Sequence, residues 1–584
     1  MSKANAKPSE LSQAVEVLRP YIVRSFWYSL VASLLVLAPT GFMLEVYDRV
    51  VNSRNHFTLF MLVIVVLGAY AVMELLEWSR SRVLQAASMD LDRRLGDRVF
   101  NAMFSANLRR QAGGTQQALN DFRTIRDFLS SPVLLAAMEA PVAIVFLALL
   151  FAISPVIGSV ALGAAVVQVF VGFLNERATQ PPLVEANRTA MMAQQYADGT
   201  LRNAQVIESM GMQRDIHRRW MEKQREFLKL QAVASDRAGG YQSVTKFLQT
   251  MISSMLLGLS AWLLLKGQLN GGGAMLIISS LLGARVLAPL VMVVAQWRSV
   301  VGVRDAWARL DNLLETIPPK PQSMPLPPPR GALQVESIVA TAPGSAVPIL
   351  RGVAFGLQPA DVLVVVGPSA SGKTTLARVL AGLWPSASGK VRLDGVDVHT
   401  WDKSELGPHV GYLPQGIELF DGTLAENIAR FGEVDRAKVE AAARAVGLHE
   451  LILALPDGYD SQVGREGAIL SGGQRQRVGL ARAIYGDPVF VVLDEPNSSL
   501  DEAGDAALAS TIQLLKSQGT TFVIMTHRTS VLAVADKMLV LRDGQVQAFG
   551  PRDEVLGAIA KAAAQAQQAA QQRAAPAGAV VVAK

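Results

Sequence analysis

Six apolar runs occupy the first half of this 584-residue sequence, and they restrict its fold more than any other feature. They extend from about Phe26 to Leu44, Phe57 to Leu76, Val133 to Ile153, Val156 to Leu174, Phe247 to Leu265 and Ala274 to Trp297. Each approaches the ~20 residues that a helix needs to cross the hydrocarbon of a bilayer. One such run could be a buried helix of a soluble domain. Six in succession specify a membrane bundle, because lipid leaves backbone N–H and C=O groups no partners outside a helix or closed barrel.

Half of the residues are hydrophobic, yet the net charge is +6. The basic residues concentrate in the two long connections: Arg80, Arg82, Arg93, Arg94, Arg98, Arg109, Arg110, Arg123 and Arg126 in one, Arg188, Arg202, Arg214, Arg218, Arg219, Lys223, Arg225 and Lys229 in the other. The positive-inside rule puts these connections and both termini in the cytoplasm. Topology thus accounts for the basic charge, and no nucleic-acid partner is expected. Residues 1–25 are mostly polar at their start, without the apolar core of a cleavable signal, and are expected to remain a cytoplasmic segment. The absence of cysteine excludes disulfides, thiol catalysis and thiolate metal sites.

The six runs define a transmembrane domain over 26–315 with long cytoplasmic loops. The stretch TIPPKPQSMPLPPPRGA, 316–332, reads as a linker, since its prolines can neither continue a helix nor pair inside a sheet. Short β-rich runs then alternate with helical ones over 333–556, the pattern of an α/β sheet. An Ala/Gln-rich tail occupies 557–584.

Within the α/β half, DVLVVV leads into GPSASGKTT: Gly367, Pro368, Ser369, Ala370, Ser371, Gly372, Lys373, Thr374 and Thr375. Small residues between a strand and a helix let backbone amides curl around phosphate, and the helix N-terminus adds positive field. Lys373 would neutralise the outer phosphates and the Thr374 hydroxyl would reach Mg²⁺. A metal–phosphate site that hydrolyses also needs a carboxylate for the metal and a base for water. VFVVLDEP supplies both at the end of a buried run, Asp494 for the metal and Glu495 for the nucleophile. Gln415 in GYLPQ and His527 in VIMTH each follow a β-rich run, where a polar side chain can project from the carboxyl edge of the sheet.

In this order the motifs resemble the nucleotide-binding domain of the ATP-binding-cassette (ABC) family, with LSGGQ, Leu470 to Gln474, as its signature loop. The resemblance implies ATP and Mg²⁺ as ligands, and a six-span exporter domain followed by a P-loop cassette as the fold. It implies that two cassettes face each other head to tail, so that Ser471, Gly472, Gly473 and Gln474 of one copy cover the nucleotide held by the other. Glu495 would be the general base, and His527 would hold the γ-phosphate and position water. Gln415 would sense Mg²⁺ and couple to the membrane domain, and Asp501 would contact across the dimer. One six-span domain with one cassette is half a transporter, which implies a homodimer. VGREG, Val463 to Gly467, resembles a short loop that exporters of the family carry. Ala342 stands where the family usually offers an aromatic side chain to adenine, so no base-stacking residue is assigned.

The phrases GYLPQGIELFDGTLAENIARF, LDEPNSSLD, LRNAQVIESMGM and ARVLAPLVMVVAQW resemble a narrower group, the ATPase/permeases of bacterial type I secretion that export alkaline proteases, lipases, haem-binding proteins and S-layer proteins. That likeness implies an inner-membrane location in a Gram-negative cell and an unfolded polypeptide cargo with a C-terminal signal. It also implies a periplasmic adaptor and an outer-membrane channel as partners. MEAPVAIVF departs from the Asp-Leu-Pro-aromatic sequence expected at the start of the third span. The sequence before the first span is expected to be too short for the peptidase-like domain of other type I exporters. Asn120 to Ser131 and Tyr196 to Met212 would form coupling helices that dock onto the cassettes. Arg285 lies inside the last span, four residues before Pro289, and would either face a wet path or pair with Glu74, Glu77 or Glu139. The rival readings are a lipid or drug exporter, a soluble chromosome-maintenance ATPase and an importer ATPase. The six spans oppose the second, and their fusion to the cassette opposes the third.

Overall fold

The computed structural model describes residues 9–109, 117–269, 274–319, 324–345, 347–464, 469–528 and 530–561. Two compact units result, one ending at Pro319 and the other formed chiefly by the residues after it.

The first unit is helical: α1 (Glu10–Val17), α2 (Arg19–Leu35), α3 (Ala38–Glu45), α4 (Val51–Ser53), α5 (His56–Leu108), α6 (Gln117–Phe128), α7 (Pro132–Ile153), α8 (Pro155–Leu201), α9 (Ala204–Ser209), α10 (Gln213–Leu265), α11 (Ala274–Ala295) and α12 (Trp297–Thr316). Six helical stretches are long and apolar enough to cross a membrane: Arg19–Glu45, His56–Leu108, Gln117–Ile153, Pro155–Leu201, Gln213–Leu265 and Ala274–Ala295. Each carries one of the six apolar runs. Their ends have local causes. Ser131 accepts from the Leu134 amide at 3.4 Å ahead of Pro132. An extended Ser154 separates α7 from α8, where Pro155 opens the next helix. Before α5, the Asn55 side chain accepts from the amides of Phe57 and Thr58.

Where the charge pattern suggests long connections, the helices mostly continue instead. At 53 residues α5 is about 80 Å long, well beyond the thickness of a bilayer. Its continuation is amphipathic. Leu84, Ala87, Leu91, Leu95, Val99, Ala102 and Ala106 recur every three or four residues and are buried, whereas Arg82, Arg93 and Arg94 are exposed. From Ala87 onward the buried stripe joins Leu11, Leu18, Phe122, Ile125, Leu310 and Leu314 in one core.

Two arginines fasten that core. Arg98 donates to the Glu10 carboxylate at 2.9 Å and to the carbonyls of Leu314 and Ile317 at the end of α12, at 3.3 and 2.5 Å. Arg309 of α12 grips the buried Asp121 of α6 with two bonds, at 2.9 and 2.6 Å. Of the two expected coupling segments, Asn120 to Ser131 falls on α6 and the turn after it. Tyr196 to Met212 spans the end of α8 and the short helix α9.

The second unit holds strands β1 (Leu333–Thr341), β2 (Pro348–Leu357), β3 (Val362–Val366), β4 (Ser388–Leu393), β5 (Val396–Asp397), β6 (Val410–Leu413), β7 (Phe490–Asp494), β8 (Thr521–Met525), β9 (Lys537–Arg542) and β10 (Gln545–Pro551). Its helices are α13 (Lys373–Leu380), α14 (Lys403–Leu406), α15 (Leu424–Ile428), α16 (Arg436–Ala445), α17 (His449–Leu453), α18 (Gly472–Ile484) and α19 (Glu502–Ser517). An antiparallel sheet has the order β2-β1-β4-β5, and a larger sheet the order β10-β9-β3-β8-β7-β6. In the larger sheet every pairing is parallel except β10 with β9. All residues of β7 and β8 are buried, as helices on both faces of a parallel sheet require, which explains their unbroken apolar sequences. Val365 and Asp494 both pair with Met525, so β3, β7 and β8 end level with one another. The loops that follow them share one edge.

Candidate functional site

That carboxyl edge assembles the nucleotide motifs. After β3 the chain turns through 367–372 into α13. A Cβ on Gly367 would stand 2.1 Å from the Leu541 carbonyl oxygen, and Gly372 has φ +104° with the Leu350 side chain 2.9 Å from where its Cβ would be. Only glycine fits either position without strain. Ala370 is itself left-handed, at φ 65°. Lys373 folds back over the loop, its ammonium donating to the carbonyls of Gly367 and Pro368 at 2.7 and 3.0 Å. Lys373 and Thr375 are buried, and so is the Ser371 hydroxyl, which has no partner. The first amides of α13 have no intrahelical acceptor and are free for an anion.

Asp494, the last residue of β7, is 1 % exposed and neither carboxylate oxygen has a hydrogen-bond partner of regular geometry. Burial pushes its pKa up, while the nearby Thr374 hydroxyl pulls it partly back. An orphaned buried carboxylate beside a hydroxyl is a poor arrangement for a bare protein and a good one for a small cation. Among the described residues no three acidic or histidine side chains cluster as a metal cage. One carboxylate with one hydroxyl is a donor set that fits Mg²⁺, which takes one or two protein ligands and fills its shell with phosphate and water.

Beside it, Gln415, Glu495 and His527 meet. The Gln415 amide donates to Glu495 Oε2 at 3.0 Å, and His527 Nε2 lies 3.3 Å from Glu495 Oε1. Three residues separated by as much as 112 positions are thus joined through one carboxylate. Glu495 adopts a left-handed backbone, φ 53°, with its amide donating to Met525 O at 2.9 Å. Such a conformation persists only when the surroundings over-determine it.

Gln476 provides much of that restraint, and sequence reasoning missed it. Its side chain, 2 % exposed, donates to the carbonyls of Glu495 and Pro496 at 3.0 and 2.5 Å and accepts from the Ser499 amide at 2.7 Å. The available signal was faint: in GGQRQRVGLARAI the 3.6-residue period puts Gln476 on the face of Leu480 and Ala483.

The signature residues lie at the start of α18. Ser471 caps it: its hydroxyl accepts from the Gln474 amide at 3.3 Å while the Gln474 side chain accepts from the Ser471 amide at 2.9 Å. Gly473 packs closely on the turn after β7: a Cβ there would stand 3.0 Å from Ser499 O, a tight contact. Ser471 and Gly472 are exposed, and among the described residues no hydrogen bond joins 471–474 to 367–375. Asp501 caps α19 through the Gly504 amide and pairs with Arg477 at 2.7 Å; the amide first, then Arg477, holds its pKa below the ordinary value. Arg465 to Gly467 of VGREG, and the tail from residue 562, lie outside the described residues.

Residues 350–498 match the ABC transporter family, and residues 25–286 match the ABC transporter transmembrane region. The type I secretion system ATP-binding protein PrsD of Rhizobium meliloti (strain 1021) is 39 % identical over 533 residues, 91 % of each chain. The chain belongs to the type I secretion branch of the ABC transporters. This ABC transporter is also 27 % identical to the cyclolysin secretion/processing ATP-binding protein CyaB of Bordetella pertussis, over 91 % of this chain and 75 % of that one. The ATP-dependent lipid A-core flippase of Burkholderia orbicola is 32 % identical, but over only 54 % of this chain. The fold is that of an ABC exporter: a bacterial Atm1-family ABC exporter with ATP bound superimposes with a TM-score of 0.80 at 22 % identity, covering 96 % of this chain and all of that one. The protein is therefore a multi-pass ATPase transporter.

Proposed function

We propose that two copies of this chain form an exporter in a Gram-negative inner membrane, with the cassettes in the cytoplasm. It uses ATP to move an unfolded polypeptide with a C-terminal signal into a periplasmic adaptor and an outer-membrane channel. The observation that carries this reading is the match to PrsD across 91 % of both chains, set beside the partial match to a lipid flippase.

The site supports a specific division of labour. Amides of 369–374 and the Lys373 ammonium bind the phosphate chain. Thr374 and Asp494 hold Mg²⁺, with Gln415 at its margin, and the ion supplies charge neutralisation on the phosphates. Glu495 takes a proton from the attacking water, and His527, on the same carboxylate, orients the γ-phosphate end. Backbone strain at Glu495 fixes the base before substrate arrives, so little reorganisation is needed in the transition state. Ser471 and Gly472 are exposed, and among the described residues 471–474 make no hydrogen bond to their own phosphate loop, which supports their role in covering the partner's nucleotide. Asp501, placed across the same dimer seam, keeps the adjoining turn in shape through Arg477.

The test is secretion in a host supplied with a matching adaptor, channel and a polypeptide with a C-terminal signal. Wild type should deliver the polypeptide to the medium, and Glu495→Gln should abolish delivery. Adaptor-independent stimulation of ATP turnover by lipid, with no secretion, would instead support the lipid-exporter reading.

A further inference from the structure

Arg285 is not used by the ATP site. In the membrane unit it lines a cavity of about 110 Å³ together with Ser33 of α2, Glu77 of α5, and Glu139 and Phe146 of α7. The two carboxylates differ in their commitments. Glu139 is held by Arg80 at 3.0 Å, and Arg80, 8 % exposed, also donates to the Ser29 hydroxyl at 3.3 Å. Glu77 stands one turn before Arg80 on α5. Among the described residues neither Glu77 nor Arg285 has an ion partner within 4 Å, and Glu74 is not on the cavity wall. Two opposite charges, each without a partner, therefore face the same small space between apolar helices. Isolated charges in a membrane bundle are strongly disfavoured, and pairing is the usual remedy.

A second observation concerns the backbone. Pro289, also on the cavity wall, lies four residues after Arg285 inside α11. It has no N–H to donate to the Arg285 carbonyl, so α11 lacks the hydrogen bond that would stiffen it at the charged residue. The helix is weakest where the unpaired cation sits.

We propose that Glu77 and Arg285 form an ion pair in another state of the transport cycle, drawing α5 and α11 together and closing this cavity, with the proline-weakened turn of α11 as the hinge. The open cavity is the separated state. The Arg80–Glu139 pair keeps the second carboxylate occupied, so Arg285 has one available partner. This gate concerns the membrane unit of any ABC exporter cycle run by this chain and does not depend on the nature of the cargo.

The test exploits a sequence without cysteine. In full-length protein in membranes, Glu77→Cys and Arg285→Cys are combined and bridged by a short bifunctional thiol reagent. The reaction is run without nucleotide and, in the Glu495→Gln background, with ATP and Mg²⁺. Both cysteines can be neutral, so this arm introduces no unpaired charge. The expected yield differs between the two states by about fivefold or more, the mark of a population shift rather than a fixed distance. Equal yields, or none in either state, would overturn the proposal. In a second arm, Glu77→Arg and Arg285→Glu singly should lower ATP turnover about tenfold and the double exchange should restore it to within about threefold. A double variant no better than the product of the singles, or rescue of Arg285→Glu by Glu139→Arg instead, would refute the pairing.

Discussion

Replacing Gln476 by leucine tests whether the Glu495 carboxylate, the proposed base, is held in place from behind. Leucine has similar volume, so packing within α18 changes little, but the Glu495 and Pro496 carbonyls and the Ser499 amide lose their partner. These bonds, and a fourth to the Ser498 hydroxyl at 3.2 Å, all involve a side chain 2 % exposed, where water cannot substitute. A buried group left unsatisfied costs about 1–3 kcal/mol, and with the Pro496 carbonyl and Ser499 amide as the two closest partners the loss is about 2–6 kcal/mol. For a domain of this size that lowers the unfolding midpoint by roughly 4–24 °C. The left-handed Glu495 would relax at the same time, costing about 10- to 100-fold in kcat, the range associated with a displaced catalytic group. The KM for ATP should stay within about threefold, because β3, the phosphate loop and α13 make no bond to Gln476. Thermal unfolding and steady-state ATP turnover of the full-length protein measure both quantities. An unchanged midpoint and kcat, or an effect on KM alone, would refute the reasoning.

Glu495→Gln itself should keep ATP binding and the unfolding midpoint while slowing turnover at least about a hundredfold, as loss of a positioned base does; near-normal turnover would remove the residue from that role. Asp494→Asn should have the opposite signature in the nucleotide-free protein. Its folded pKa is raised by burial, so the native state holds the proton more tightly than the unfolded chain. The stability this group contributes is then fully present below the unfolded pKa and is lost as pH rises through the folded one. At neutral pH the asparagine variant should therefore be more stable than the wild type without nucleotide, yet lose the extra stabilisation that Mg²⁺ with ATP gives the wild type. Unfolding midpoints from acid to neutral pH, with and without MgATP, would read both. Arg309→Leu should destabilise by about 2–3 kcal/mol because it leaves the buried Asp121 charge with only the Gln117 amide as donor, less than for a fully enclosed pair since the Arg309 side chain is 42 % exposed. Recovery of the midpoint in Arg309→Leu with Asp121→Leu would confirm the cause.

Much of the site was readable from sequence because its strands are buried on both faces. VLVVV and FVVLD have no other plausible place, and the polar residues that follow such runs must emerge at one sheet edge. The residues that met there, Gln415, Asp494, Glu495 and His527, are polar punctuation after apolar text. Gln476 was hidden for the converse reason, since an amide within QRQR looks like solvated surface until the partners in the Glu495–Ser499 turn are known. The membrane runs were equally legible, but the ends of their helices were not. Arginines on α5 suggested a loop, whereas a helix accommodates them by alternating them with Leu84, Leu91 and Leu95. For Arg285, three glutamates were open partners from sequence, and the structure leaves Glu77 available only by giving Glu139 to Arg80.

The unbroken course of α5 from His56 to Leu108 also limits how this chain can change length. A single residue inserted between Leu84 and Leu91 would turn everything beyond it by about 100° and carry the Leu91–Leu95–Val99 stripe away from α1, α6 and α12. Deletions in that interval should be tolerated only in steps of about seven residues, two full turns, which restore the azimuth. Its reach below the membrane is thus quantised.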